Sequence, residues 1–185
     1  MGRGIEFTCS KCGHIVTASW GCGFLFPKVY SETVKKIKDN KLGPEIKAFL
    51  DEHPDGAINA EETLARCNEC GKYDNVQDLT MFVPREVYVK EDSPEGIWSF
   101  AAPFVGAEYV TPYDLRTDYI EYQKYSHKCK CCGGKMSIIP LHSYQPDPEG
   151  EWIEEMQKKS ECTITEIECP VCGGKMIAAN LIMWD

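Results

Sequence analysis

The sequence predicts an α+β fold built from two small β units, the first of which carries a helical insertion. The motif Cys-x-x-Cys-Gly occurs four times in 185 residues, twice in each half of the chain. Short segments of alternating polar and apolar residues flank these motifs, a pattern typical of strands. Between the first two motifs, segments with helix-capping residues and apolar positions three or four apart indicate helices.

The four motifs arrange eight cysteines in pairs. The pairs are Cys9/Cys12, Cys67/Cys70, Cys129/Cys132 and Cys169/Cys172. Two intervening residues let a tight turn direct both sulfurs at one ion, and the following glycine lets the chain turn away with a positive φ. Because four thiolates complete a tetrahedral site, the sequence predicts two metal ions in two four-cysteine sites.

The cysteine count favours thiolate ligands over disulfides. The total of 11 is odd, and the N-terminal residues 1–7 contain no apolar signal-peptide core. We therefore expect a reducing, cytoplasmic compartment. No uncharged apolar run is long enough for a membrane span, so no membrane partner is predicted.

The charge balance argues against nonspecific binding of nucleic acid. The formal net charge is −9. Eight ligating thiolates would add eight negative charges and two Zn²⁺ would return four, so a loaded chain would carry −13. Nonspecific binding rests on clustered Lys and Arg that neutralise phosphates, which an acidic chain does not supply overall.

The motifs resemble the knuckles of zinc ribbons and rubredoxins, and Cys169-Pro-Val-Cys172-Gly173 matches them most fully. The resemblance covers five to eight residues around each pair and implies two knuckles on short hairpins that clamp one tetrahedral ion. It departs from the compact family pattern, because 54 residues separate Cys12 from Cys67 and 36 separate Cys132 from Cys169. The expected domains are a ribbon with a helical insertion over 1–90, a packed connector over 91–118, and a second ribbon over 119–185.

Sequential and nested pairings of the knuckles are both possible. Loop-closure entropy favours the sequential pairing by about 1.4 kcal/mol across the two sites, which packing can overturn. The repeated pentapeptide Cys-Gly-Gly-Lys-Met, at residues 132–136 and 172–176, suggests two halves of one site. The sequential pairing is therefore predicted, with one ion on Cys9, Cys12, Cys67 and Cys70 and the other on Cys129, Cys132, Cys169 and Cys172.

Two Zn²⁺ are the expected cofactors, with Fe as the alternative, because four thiolates suit both metals. A closed site of four cysteines leaves no open position for water, so the sequence gives no positive evidence for an enzyme and no catalytic residue. It predicts a structural zinc-binding protein that acts as a non-catalytic interaction module for a protein or nucleic-acid partner. The alternative is a rubredoxin-like iron electron carrier. The sequence indicates no particular partner or oligomeric state.

The predicted elements follow from alternation, capping and proline. Helices are expected after the capping Ser31, from Glu45 to Glu52 after Pro44, and from Ala60 to Ala65 after the capping Asn59. A further short helix is expected over Glu151–Lys159. The predicted strands are Ile5–Thr8, His14–Ser19, Val76–Val83, Glu86–Lys90, Lys135–Pro140, Thr163–Glu168 and Lys175–Trp184.

Other residues keep two interpretations each. Cys22 and Cys162 are expected to be inert buried thiols, with a nucleophile or redox pair as the alternative, and Cys131 is an alternative ligand inside its knuckle. Tyr119, Tyr122 and Tyr125 suit a base-stacking platform, or more simply a core or interface. The helical insertion carries a local excess of lysine that suits phosphate, or more simply a solvated helix face: Lys28, Lys35, Lys36, Lys38, Lys41 and Lys47.

Overall fold

The computed structural model describes residues 2–21, 23, 25–85, 109–141 and 166–184. Within these ranges the chain forms a small mixed fold of three helices and ten strands, and all strand pairs are antiparallel. Several predictions lie outside the described residues. They are the strand Glu86–Lys90, the helix Glu151–Lys159, most of the connector, the start of the strand Thr163–Glu168, Cys22 and Cys162.

The first sheet joins the beginning of the chain to its end. Its order is β2 (Ile15–Trp20), β1 (Gly2–Cys9), β10 (Lys175–Trp184) and β9 (Glu166–Glu168). The hairpin of β1 and β2 and the bounds of β10 confirm the sequence predictions. Alternate residues of these strands face a core around Phe7, whose side chain is fully buried, because successive side chains of a strand point to opposite faces.

The second sheet contains the clearest correction to the predicted elements. Its order is β5 (Tyr73–Gln77), β4 (Glu62–Cys67) and β8 (Met136–Ile139). The predicted helix Ala60–Ala65 is wrong, because β4 pairs along both edges and buries Leu64 and Ala65. A six-residue helix satisfies few of its own backbone groups, whereas two ladders pair this segment along both edges. Asn59 supports a turn instead, accepting a hydrogen bond from the backbone N–H of Glu61.

A third sheet and the helices pack together beside the other two sheets. The sheet order is β3 (Ala57–Ile58), β6 (Met81–Pro84) and β7 (Tyr119–Gln123). The predicted strand Val76–Val83 is thus divided between β5 and β6. The division falls at Leu79, which has a positive φ of 59° beside a turn in which Asp78 accepts from the backbone N–H of Thr80.

The helices are α1 (Phe26–Lys38), α2 (Pro44–Glu52) and α3 (Pro112–Thr117). The bounds of α2 confirm the prediction. The first helix begins at Phe26, five residues before Ser31, the predicted cap. It begins there because Phe26 and Tyr30 bury their rings in the core that α1 shares with α2 and Met81. Tyr122 lies at the edge of this core with about half its surface exposed, and its ring packs against those of Phe49 and His53.

The predicted division into 1–90, 91–118 and 119–185 stays a prediction. Two sheets nevertheless join strands from both sides of it, since β1 pairs with β10 and β4 pairs with β8. These two pairings position the cysteine motifs.

Candidate metal centres

The first group of four sulfurs lies where β1 meets β10. We call Cys9, Cys12, Cys169 and Cys172 the outer group, and their ligand atoms all lie within 4.8 Å of one another. The Sγ atoms of Cys9 and Cys172 are 3.6 Å apart, as are those of Cys12 and Cys169. A tetrahedron with Zn–S bonds near 2.3 Å has edges of about 3.8 Å, whereas a disulfide needs about 2.05 Å. The spacing therefore fits a shared ion.

The second group lies where β4 meets β8. We call Cys67, Cys70, Cys129 and Cys132 the inner group, and their sulfurs satisfy the same 4.8 Å limit. Sγ of Cys67 is 3.5 Å from that of Cys132, and Sγ of Cys70 is 3.7 Å from that of Cys129. The two groups could each hold a metal ion, and together they use the eight predicted cysteines.

The sequential pairing of knuckles is wrong: the structure nests the inner group within the outer one. In the first sheet Cys9 is opposite Met176, and in the second Cys67 is opposite Met136. Each methionine ends one copy of the repeat Cys-Gly-Gly-Lys-Met. The repeat therefore marks the equivalent half of each of two sites, not two halves of one site. Strand pairing and burial along these ladders outweigh a closure preference of about 1.4 kcal/mol.

The four knuckles share one backbone turn, as their spacing predicts. In each, the first cysteine accepts at its carbonyl from the glycine that follows the second cysteine, at 2.8–3.1 Å. The four glycines have φ between 66° and 76°, a region where a side chain is strained: Gly13, Gly71, Gly133 and Gly173. Backbone N–H groups also point at sulfur, from Cys70 to Cys67 Sγ and from Cys131 to Cys129 Sγ. Such donors stabilise thiolates.

Within each group the pKa values of the thiols separate. Burial opposes ionisation of Cys9, but N–H groups of Cys12 and Lys11 and neighbouring thiols lower its pKa to about 6. The backbone N–H of Cys70 is the main cause that lowers the pKa of Cys67 to about 6. The pKa of Cys12 is raised to about 12, because neighbouring thiols and burial outweigh the N–H of His14.

Cys70 repeats this behaviour in the inner group. The N–H of Lys72 acts to lower its pKa, but burial and the three other thiols raise it to about 12. The backbone N–H groups of Cys132 and Cys131 also lower the pKa of Cys129, so in the inner group the first cysteine of each knuckle ionises readily and the second resists further charge. A divalent cation supplies the missing positive charge and displaces the remaining protons, so the donor set fits a thiolate-bound metal.

The other sequence candidates lie apart from the two groups. Cys131 is exposed and lies outside the inner group, and the Lys72 ammonium donates a hydrogen bond to its sulfur, which raises the pKa of Lys72. The buried His127 contacts the carbonyl of Asp78 through Nε2, and His53 packs against Phe49. His14 contributes backbone groups to its knuckle.

Sequence reasoning missed a contact between the two sites. Arg66 forms an ion pair with Glu168, and each residue directly precedes the first cysteine of a knuckle. No local signal marks these residues, because they are 102 positions apart.

Comparison with known proteins finds no matching family model, no similar curated protein and no similar solved structure. None of the described helices has the length and apolar character needed to cross a membrane.

Proposed function

We propose that this chain is a structural zinc-binding protein in which two Zn²⁺ ions are held in two zinc-ribbon-like sites of four cysteines each. The observation that supports the proposal is the spacing of 3.5–3.7 Å between sulfurs contributed by opposite knuckles. Four thiolates close the coordination shell, so the metal would stabilise the fold and leave no position for a substrate. A cytoplasmic location follows from this proposal, because reducing conditions keep thiolates available.

The biological role proposed for this scaffold is a non-catalytic interaction module. A groove of about 380 Å³ lies between the β1–β2 hairpin and the β4–β5 hairpin, and its lining includes Ile15, Tyr73 and Val171. The side chains of Ile15 and Val171 are 54% and 68% exposed, so both offer apolar surface at this groove. Rigid knuckles that present such residues suit a protein partner.

Metal analysis tests the zinc proposal directly. Purified protein, expressed without added metal, should contain two zinc per chain by elemental analysis and show no visible ferric–thiolate absorption. Replacement of zinc by Co²⁺ should give the intense d–d bands of tetrahedral tetrathiolate sites. A chain without bound metal that retains all its strand protection would contradict the proposal.

The iron electron carrier is the second candidate, and one feature favours it. Cys12 and Cys132 are exposed while their partners are buried, so a metal there would have a route for electron exchange with a partner. The N–H···S bonds in the inner group are also a means of tuning a potential. Iron in the native protein with a reversible reduction in voltammetry would support this candidate, and zinc alone would reject it.

A nucleic-acid partner has a separate test on α1. Lys35, Lys36 and Lys38 lie exposed in its last turn, whereas Lys28, Lys41 and Lys47 form ion pairs with acidic neighbours. If the module binds nucleic acid through this turn, reversing the first three to Glu should remove the salt-sensitive part of oligonucleotide binding. The matched control reverses the three paired lysines, which makes the same change in net charge. Equal binding by both variants would exclude the patch and favour a protein partner.

A further inference from the structure

Three residues connect the two sulfur groups directly. Arg66 precedes the inner ligand candidate Cys67, and Glu168 precedes the outer ligand candidate Cys169. Nη2 of Arg66 donates to the carboxylate of Glu168, and the hydroxyl of Tyr73 donates to the carbonyl of Glu168 at 3.0 Å. The guanidinium also lies 5.8 Å from the centroid of the Tyr73 ring. Two side chains of the second sheet thus hold Glu168, Arg66 by its carboxylate and Tyr73 by its carbonyl.

We propose that Arg66 and Tyr73 act through Glu168 as positioning residues that couple the two metal sites, so that an ion in one site raises the affinity of the other. This inference rests on the proposed zinc sites. The peptide between Glu168 and Cys169 carries both the carbonyl that Tyr73 contacts and the N–H that donates to Gly174 in the outer knuckle. An outer ion that orders this knuckle therefore also orders the contact surface for Arg66.

The coupling operates equally in the other direction. An inner ion fixes the knuckle between β4 and β5, which begins directly after Arg66 and ends directly before Tyr73. Both donors are then in place before the outer knuckle closes. Because binding free energies are linked, each ion must raise the affinity of the other by the same factor. Nε of Arg66 is buried without a hydrogen-bond partner among the described residues, so the contact with Glu168 holds the group in an otherwise unfavourable position.

Chain closure alone produces only weak coupling. The outer closure from Cys12 to Cys169 spans 157 residues, and an inner ion shortens this span by the 59 residues between Cys70 and Cys129. On the (3/2) ln n scaling, this raises the outer affinity about two-fold. The ion pair adds about 1.5- to five-fold, since the side chains of Arg66 and Glu168 are 35% and 54% exposed. We expect an overall factor of about three to ten.

The experiment measures the coupling factor with Zn²⁺ buffered by a chromophoric chelator. The outer affinity is determined in the full chain with the inner site loaded and in the Cys70→Ser/Cys132→Ser chain. The ratio of the two affinities is the coupling factor, and the Cys12→Ser/Cys172→Ser chain gives the reciprocal value for the inner site. Both ratios are then measured again with Glu168→Gln, which removes the charge and keeps the shape, and with Arg66→Gln.

The matched control is Lys175→Gln. Lys175 pairs with Glu166, and both residues lie on the first sheet, so this ion pair is close to the outer site but does not connect it to the second sheet. Glu168→Gln and Arg66→Gln should each reduce the factor about three-fold, in both directions, while Lys175→Gln leaves it unchanged. Near-ultraviolet circular dichroism of the loaded variants checks that they are folded.

Two results would overturn the inference. An unchanged factor in both Glu168→Gln and Arg66→Gln, with two ions still bound, would show that the ion pair does not couple the sites and would leave the zinc proposal intact. Failure of the unaltered chain to bind Zn²⁺ at either group would overturn the zinc proposal itself, and this inference with it.

Discussion

The outer and inner sulfur groups are built from the same knuckle but are held by different amounts of surrounding protein. The outer group lies against a core of ten buried residues and the eight residue pairs of the β1–β10 ladder. The inner group has four β4–β8 pairs, and its own cluster of buried residues is Ala65, Cys67, Cys129 and Met136. Half of that cluster consists of candidate ligands, so the inner unit should depend more on its metal for stability.

The length of chain that each site must close favours the inner group, whereas packing favours the outer group. The inner closure spans 59 residues between Cys70 and Cys129, whereas the outer closure spans 157 between Cys12 and Cys169. The inner site is therefore entropically easier to form, and the outer site has more packing to support it. Nesting combines the two, since an inner ion shortens the closure that the outer sheet must make.

The largest effect should come from removing one ligand of each group. Cys172→Ser and Cys132→Ser should each reduce zinc from two ions per chain to one, because each removes a ligand from one site. The effect on stability is large, since a structural Zn²⁺ contributes about 10 kcal/mol or more of folding free energy. Hydrogen exchange should then increase mainly in β1, β2 and β10 for Cys172→Ser, and in β4, β5 and β8 for Cys132→Ser. Exchange confined to residues beyond 119 after Cys172→Ser would instead support the sequential pairing.

Acid should release the metal from both groups, because each contains a thiol whose pKa is lowered to about 6. Above about pH 6 the sulfurs of Cys9 and Cys67 are already thiolates, because their pKa values are lowered to about 6 from an ordinary value of 9. Below that pH the ion must also displace a proton from each of these two thiols. Each displaced proton makes the zinc affinity fall about ten-fold for every unit by which the pH is lowered.

Zinc affinity at each site, measured from pH 8 to pH 5, should therefore fall more steeply below pH 6. The thiols of Cys12 and Cys70, with pKa values near 12, are protonated across this range and contribute a constant slope. Chains in which one group has been disabled by substitution show which curve of affinity against pH belongs to which group. A zinc affinity that falls no more steeply below pH 6 than above it would contradict this prediction.

Core truncation should distinguish the two units next. Phe7→Ala, in the outer core, should cost about 3–5 kcal/mol and Met136→Ala, in the inner cluster, about 2–5 kcal/mol in zinc-loaded protein. After removal of zinc by a chelator, we expect Phe7→Ala to lower the free energy of unfolding by nearly as much as before. Met136→Ala should then lower it by much less, because the inner cluster loosens without its metal. Urea unfolding of both variants with and without zinc provides the measurement. Equal costs without zinc would mean that the inner cluster persists without its ion.

The smallest effect concerns the knuckle glycines. Gly13 and Gly133 have φ of 71° and 76°, and an added Cβ at either would meet no atom within 4 Å. Ala at each position should therefore cost only the backbone strain, about 1–2 kcal/mol. Differential scanning calorimetry of Gly13→Ala and Gly133→Ala should give equal shifts in Tm. Unequal shifts would show that one turn is held more tightly than the other.

The sequence by itself determined the features that depend on a few consecutive residues. The spacing of two residues and the following glycine predicted four identical turns, and alternation predicted the β1–β2 hairpin and the bounds of β10. Proline predicted the start of α2. These features follow from local sterics and local hydrogen bonding, which the residues carry with them. That the eight cysteines bind zinc stays a proposal from the same local chemistry.

Only the tertiary structure decided which knuckles meet and which element Glu62–Cys67 forms. The pairings of Cys9 with Met176 and Cys67 with Met136 join residues far apart in the chain, and their stability comes from ladders and cores formed jointly. An entropic preference of about 1.4 kcal/mol is too small to oppose that sum. Likewise, the capping residue Asn59 favoured a helix locally, but β5 and β8 pair with both edges of β4, and Leu64 is buried in the core around Phe7. Long-range pairing outweighed local propensity at these positions because it satisfies more backbone groups and buries more apolar surface.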